Sequence, residues 1–207
     1  ERQRLVGFLG SSWADYDVPQ ISAGGCVFAR REKSIRITEA VRLALGLEPG
    51  TTAMSPPELL KAVLLAPVDL LYNGGIGTYV KASSEIHGDV GDKANDAIRV
   101  NAIQLRTRII AEGGNLGITQ RGRIEAALGG VLLNTDAIDN SAGVDCSDHE
   151  VNIKIFLDRM IAAGRMSPDE RTGFLHSLQE EVARLVLKTN VDQNALLLND
   201  RQLVLHW

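Results

Sequence analysis

The chain has 207 residues, 44% of them hydrophobic and 23% charged, with a net charge of −4. That balance suits a folded chain with one good core or two modest domains, and it lacks the broad basic field that nucleic acid or an anionic membrane would need. No apolar run reaches the roughly 18 to 20 residues of a membrane span and no signal peptide opens the chain. Its two cysteines, Cys26 and Cys146, form neither a disulfide framework nor a zinc pattern, so the expected setting is the reducing cytoplasm.

The first residues, "ERQRLVGFLGSSWADYD", lack an initiating methionine and read as the tail of a helix followed by a loop, as expected of a piece of a longer protein. "ITEAVRLALGL" spaces Ile37, Val41, Ala44 and Leu45 as an amphipathic helix. "SPPELLKAVLLAP" carries a helix start, with Ser55 as cap, Pro56 in the first turn and Glu58 three residues on, and Pro67 ends it. "VDLLYN" reads as a buried parallel strand, a helix is expected around 92 to 102, and "TRIIAEGG" reads as a second strand. "TQRGRIEAALGG" predicts a helix stopped at Gly129-Gly130, and "VLLNTD" a third strand. Two helices follow, over 148 to 163 with Gly164 as its close and over 168 to 188, the second opened by Ser167, Pro168 and Glu170. The apolar runs Leu196 to Leu198 and Leu203-Val204-Leu205 read first as ordinary core packing, with docking on an absent domain as the alternative.

Short, nearly all-apolar strands alternating with helices predict an α/β fold built on an open parallel sheet, with a helical C-terminal extension. In such sheets ligands bind beyond the carboxyl ends of the strands, where loops converge and helix N-termini present free N–H groups. Three such ends are legible: "YNGGIGT" (72 to 78), "AEGGNLGIT" (111 to 119) and "NTDAIDNSAGVDCS" (134 to 147). Each pairs glycine, which permits close approach to the backbone, with asparagine, which both donates and accepts. A ribose and a carboxamide need such partners, although Gly and Asn are also ordinary turn residues.

Other constellations are weaker. "SDHE", 147 to 150, has the form of a capping box in which Ser147 starts a helix, a role that leaves the hydroxyl able to donate to a substrate oxygen. Asp136, Asp139, Asp145, Asp148 and Glu150 with His149 suggest a metal site, yet their spacing matches no EF-hand or HExxH pattern, and no metal is expected. Cys146 is paired with no base, and His87, His176 and His206 carry no readable constellation. No GxGxxG occurs: "GGIGTYV" lacks the third glycine and the helix that should follow.

"DLLYNGGIGTYVK", "IIAEGGNLGIT" and "DNSAGVDCSDHEVNIK" resemble signature stretches of the large bacterial NAD-specific glutamate dehydrogenases, whose subunits are several times longer, and the similarity covers most of residues 11 to 160, "SSWADYD" included. More distantly, Glu112-Gly113-Gly114-Asn115 and Asn140-Ser141-Ala142-Gly143-Val144 resemble the "EGAN" and "NAGGV" loops of the small hexameric glutamate dehydrogenases. The resemblance implies a partial Rossmann-like dinucleotide-binding domain over 1–147 and a C-terminal helical segment over 148–207. It implies NAD as cofactor, with Asn115 beside the nicotinamide ribose, Glu112 and Gly113 in the same loop, and Asn73, Gly74 and Gly75 bordering the same part of the cofactor. It places Asn140, Gly143 and Val144 against nicotinamide and substrate, and Ser147 on the distal carboxylate of glutamate.

The implied reaction is oxidative deamination of L-glutamate to 2-oxoglutarate and ammonia with hydride transfer to NAD, in a cytoplasmic homo-oligomer. The pyrophosphate loop is expected upstream of Glu1, and the catalytic lysine and aspartate on a substrate domain of the same polypeptide outside this chain. No catalytic residue is therefore assigned here, and the isolated chain is expected to be inactive. The rival reading is a non-catalytic nucleotide-binding module using the same glycine- and asparagine-rich edge; a metal-dependent hydrolase built on the acidic cluster is a second.

Overall fold

A computed structural model describes residues 1–204; Leu205 and His206 lie outside them. In chain order the elements are α1 (Arg2–Val6), β1 (Ile35–Arg36), α2 (Glu39–Ala44), β2 (Ala53–Met54), α3 (Pro56–Leu64), β3 (Leu70–Asn73), β4 (Val80–Lys81), α4 (His87–Val90), β5 (Val100–Asn101), β6 (Ile109–Glu112), α5 (Gln120–Leu128), α6 (Asp136–Asp139), α7 (Ser141–Ala162) and α8 (Pro168–Val204). The result is a mixed α/β fold with two short parallel strand pairs, β3–β6 and β4–β5, one antiparallel pair, β1–β2, and long C-terminal helices, a partial Rossmann-like arrangement. The chain forms two compact units, one holding residues 1–71, 78–109 and 118–132, the other 72–77, 110–117 and Leu133 onward.

The first unit buries Ile35, Ile37, Ala62, Val80, Val100, Ile118 and Ala126 as its core. Ser55 opens α3 as its sequence predicts, with Glu58 accepting from both the backbone N–H and the hydroxyl of Ser55 at 2.7 Å. Strands β4 and β5 pair in parallel, Val80 opposite Val100. The helix expected around 92 to 102 does not form. A single 3-10 turn over Lys93–Asn95 is followed by β5, because the Arg99 side chain is drawn inward to donate to Thr78 O at 2.8 Å and to Asp96 at 2.5 Å. Val100 is buried in the two-residue strand β5, and the buried Ala102 opens a second 3-10 turn, Ala102–Gln104. The buried Lys81 ammonium is solvated by amide oxygens, donating to Glu85 O at 2.7 Å and to Asn101 Oδ1 at 2.5 Å.

Helix α5 stops as predicted. Gly130 takes φ +91°, and Val131 N–H returns to Ala126 O at 3.1 Å, a Schellman closure. The third strand expected at "VLLNTD" shrinks to one parallel bridge, Ile109 opposite Leu132, since Thr135 already caps α6 three residues later.

In the second unit α7 and α8 form an antiparallel hairpin. Arg171 meets Asp158 at 2.9 Å near the turn, whereas Asn190 reaches back to Ser141 at 2.8 Å, so the two helices run in opposite senses. Gly164, at φ +68°, closes α7. Ser167 and Glu170 form the predicted reciprocal box, at 2.7 and 3.3 Å. Leu157 and Val186 are the fully buried side chains of this pair.

Both helices are longer than the sequence pattern implies. Helix α7 begins at Ser141 and runs without a break through Ser147 and Asp148, and α8 continues beyond Lys188 to Val204. Ser147 is therefore not a cap. It lies inside α7, where its hydroxyl donates to Val144 O at 3.0 Å, one turn back. The early start goes against propensity, since "SAGVDCS" holds mostly weak helix formers, and the Gly143 and Val144 N–H groups both donate to Asn140 O.

Candidate functional site

Strands β3 and β6 run side by side. Ile109 N–H donates to Asp69 O and Gly113 N–H to Asn73 O, both at 2.9 Å, each pair four residues further along the same way. That pattern is a parallel ladder, and it places the carboxyl ends of the two strands, at Asn73 and Glu112, next to each other. The loops that leave them carry six of the residues singled out from sequence.

These loops pack so closely that side chains are excluded. A Cβ on Gly114 would fall 2.4 Å from the Gly75 carbonyl oxygen, one on Gly113 2.0 Å from the Tyr72 hydroxyl, and one on Gly117 1.8 Å from Asn73 Nδ2. The glycines of "EGGNLG" thus answer first to loop-on-loop packing. Gly75 is different, because a Cβ there would meet nothing within 4 Å, which leaves its backbone open to a ligand.

The third loop, 134 to 140, is tied to the second by side chains. Asp139 accepts the Glu112 N–H at 3.0 Å, and Asp136 the Leu116 N–H at 2.8 Å. Asn140 Nδ2 donates to Asn115 Oδ1 at 2.8 Å. Leu116 holds φ +57°, a left-handed conformation that costs a non-glycine residue about 1–2 kcal/mol, and the bond from Asp136 fixes it there. Two carboxylates proposed above as metal candidates are thereby engaged by backbone donors, while Asp145 pairs with His149 at 3.1 Å. Glu112 is only 2% exposed, its carboxylate turned against Gly117 and away from solvent.

Asn73, Gly113, Gly114, Asn115 and Asn140 are therefore brought together at one edge. Gly143 permits the arrangement from behind: its Cβ would sit 2.6 Å from Asn140 Oδ1, so only glycine lets that side chain lie over the first turn of α7. Ser147 is not joined to this cluster by a hydrogen bond. It lies six residues into α7, about 9 Å along the axis, and with Val144, Ser141, Asp148, Thr189 and Gln193 lines a cavity of about 480 Å³. The positive end of the α7 dipole accordingly falls at Asn140 to Gly143, where no acidic side chain occupies the first turn.

A nicotinamide nucleotide finds suitable groups here. The Asn73 Nδ2 is buried without a hydrogen-bond partner, an amide donor that only a further acceptor would satisfy. Asn115 and Asn140 keep one amide atom each outside their mutual bond.

The family described as bacterial NAD-glutamate dehydrogenase, catalytic domain, matches the chain over residues 1–200. The chain belongs to this family. It is 56% identical over 201 residues to the NAD-specific glutamate dehydrogenase of Mycobacterium tuberculosis and 52% identical over 197 residues to that of Pseudomonas aeruginosa, matching 95% of this chain in both cases. It is 50% identical over 197 residues to the protein of the same name from Halomonas elongata. The chain spans 12% of the length of each of these relatives. Among the described residues no helix is long and apolar enough to cross a membrane.

Sequence reasoning missed the supports of the cluster. Asn134, Asp136 and Asp139 are read from sequence as loop or metal residues, whereas Asp136 and Asp139 brace the neighbouring loop and Asn134 holds Asp139. Their only signal is an Asp/Asn spacing of two and three residues before a helix, which is too common to single out.

Proposed function

We propose that this chain is the wall of a glutamate dehydrogenase that faces the nicotinamide half of NAD and the substrate. The parent enzyme oxidatively deaminates L-glutamate to 2-oxoglutarate and ammonia. The observation that carries the reading is the convergence of Asn73, Asn115 and Asn140 from three loops on one edge of a parallel strand pair, with one of their amides buried and unsatisfied. Family membership and the word NAD in the names of the relatives support the choice of cofactor.

When bound, NAD supplies the hydride acceptor. The chain's own contribution is binding and orientation, which lower the barrier by holding the reactants in place. Asn73 and Asn115, with the backbone of Gly74, Glu112 and Gly113 and the open backbone at Gly75, hold the ribose and carboxamide side. Asn140, Gly143 and Val144 border the nicotinamide and substrate. The amides at the start of α7 favour an anionic group, by roughly 0.3–1 kcal/mol when exposed. Ser147 can turn its hydroxyl from Val144 O to a substrate carboxylate, an exchange of a neutral acceptor for a charged one that favours the substrate.

The lysine and aspartate that manage ammonia and protons belong to a substrate domain elsewhere in the same polypeptide, and the parent is a cytoplasmic homo-oligomer. The purified full-length parent should reduce NAD only when glutamate is present. A well-folded parent that shows no glutamate-dependent reduction would refute the proposal.

A further inference from the structure

The loop cluster is held from behind by α8. Asn190 Nδ2 donates to Ile138 O and to Ser141 Oγ, both at 2.8 Å, and these two groups flank Asn140, whose amide bonds to Asn115. One turn further along the same helix face, Asn194 Oδ1 accepts from Asn134 Nδ2 at 3.1 Å; that amide also donates to Asp139 Oδ1 at 3.0 Å, and Asp139 Oδ2 accepts the Glu112 N–H at 3.0 Å. Asn194 is itself oriented by donating to Asn190 O at 2.9 Å. Asn134, Asp139, Asn140, Asn190 and Asn194 are half-buried, and Asn115, at the end of its relay, is exposed.

We infer that Asn190 and Asn194 are positioning residues for the nicotinamide-side loop: through two separate hydrogen-bond relays, α8 sets where Asn140, Asn115 and the Glu112 backbone stand. The inference rests on the function proposed above. Two relays ending on one loop are more than helix docking requires, because burial of Leu157 and Val186 already fastens α8 to α7. Amide side chains suit the task, since each fixes both a donor and an acceptor and so specifies one orientation.

The test is NAD affinity of the full-length parent, by titration calorimetry, for wild type, Asn190→Ala, Asn194→Ala, Asn115→Ala and the Asn190→Ala/Asn115→Ala double variant, with Lys188→Ala, on the exposed side of α8, as control. Removal of one relay should weaken NAD about five- to tenfold while the control is unchanged. A role through Asn115 makes the double variant no weaker than Asn115→Ala alone within about twofold, a non-additivity that general loosening of the fold does not produce. Asn194→Ala, which removes the acceptor for Asn134 and one bond to Asn190 O, three hydrogen bonds from Glu112, serves if Asn190→Ala melts early. Unchanged affinity in both single variants, or fully additive losses in the double variant, overturns the inference and leaves the functional reading intact. Wild type that binds no NAD overturns both.

Discussion

The Asn140 side chain donates to the Asn115 side chain at 2.8 Å, joining two loops that are 25 residues apart in sequence. Each asparagine thereby holds the other's rotamer, and what a ligand meets is a pair rather than two independent amides. If both contact the cofactor side of the site, their effects are coupled. Asn115→Ala and Asn140→Ala in the parent should each weaken NAD by about 1–1.5 kcal/mol, and the double variant should lose clearly less than the sum. Additive losses would show that the pair does not act as a unit.

Ser147 lies in the interior of α7, and its substitution separates function from stability. Ser147→Ala removes a bond to Val144 O and introduces a better helix former, so the melting temperature should hold or rise slightly. The glutamate KM should rise about tenfold, with little change for NAD. A lower melting temperature with both substrates equally affected would return Ser147 to a purely structural role.

Gly114 and Gly75 face each other but answer to different demands. Gly114→Ala would thrust a Cβ to 2.4 Å from a backbone oxygen, which cannot be moved without shifting the loop; a loss of about 1–3 kcal/mol is expected. Gly75→Ala meets no atom in the free protein and should leave unfolding unchanged while weakening NAD. Thermal unfolding beside NAD titration checks both, and a Gly75→Ala variant with full NAD affinity would remove that residue from the cofactor face.

Acid sensitivity should arise in the first unit at Glu125. Desolvation pushes its carboxyl upward, but hydrogen bonds from the Ser83 hydroxyl and N–H and from the Ile103 N–H outweigh it and leave the pKa below the usual value. A depressed native pKa means that the unfolded state binds more protons as the pH falls below about 4.5, the ordinary carboxyl value. The stabilisation is therefore complete above that pH and is lost as the pH drops through the lower, folded value. Glu125→Gln should flatten the stability–pH curve between pH 3 and 5, roughly the span below an ordinary carboxyl pKa; an unaltered slope would contradict this.

The elements with local signals were legible: Ser55 and Glu58 opening α3, Ser167 and Glu170 opening α8, and Gly130 and Gly164 closing α5 and α7. Legibility failed where a distant partner decided the outcome. Arg99 is pulled inward by the carbonyl of Thr78, 21 residues away, and a helix-like stretch becomes a strand. "SDHE" has the form of a cap, yet "SAGVDCS" before it is already helical, so a local motif was overruled by its neighbours. Glycine and asparagine marked three loops that the structure joins at one edge. Asn190 and Asn194 stayed hidden because an asparagine pair one turn apart on a long helix looks like a solvated face until the loop it grips is known.

The central claim is that the Asn115 and Asn140 edge holds NAD while Ser147 serves glutamate. The most direct measurement is the pair of KM values, for NAD and for glutamate, in glutamate-dependent NAD reduction by the full-length parent as wild type, Asn115→Ala and Ser147→Ala. A selective rise in the NAD constant for Asn115→Ala and in the glutamate constant for Ser147→Ala is the predicted result. Constants unchanged in both variants, in an active and folded parent, would contradict it.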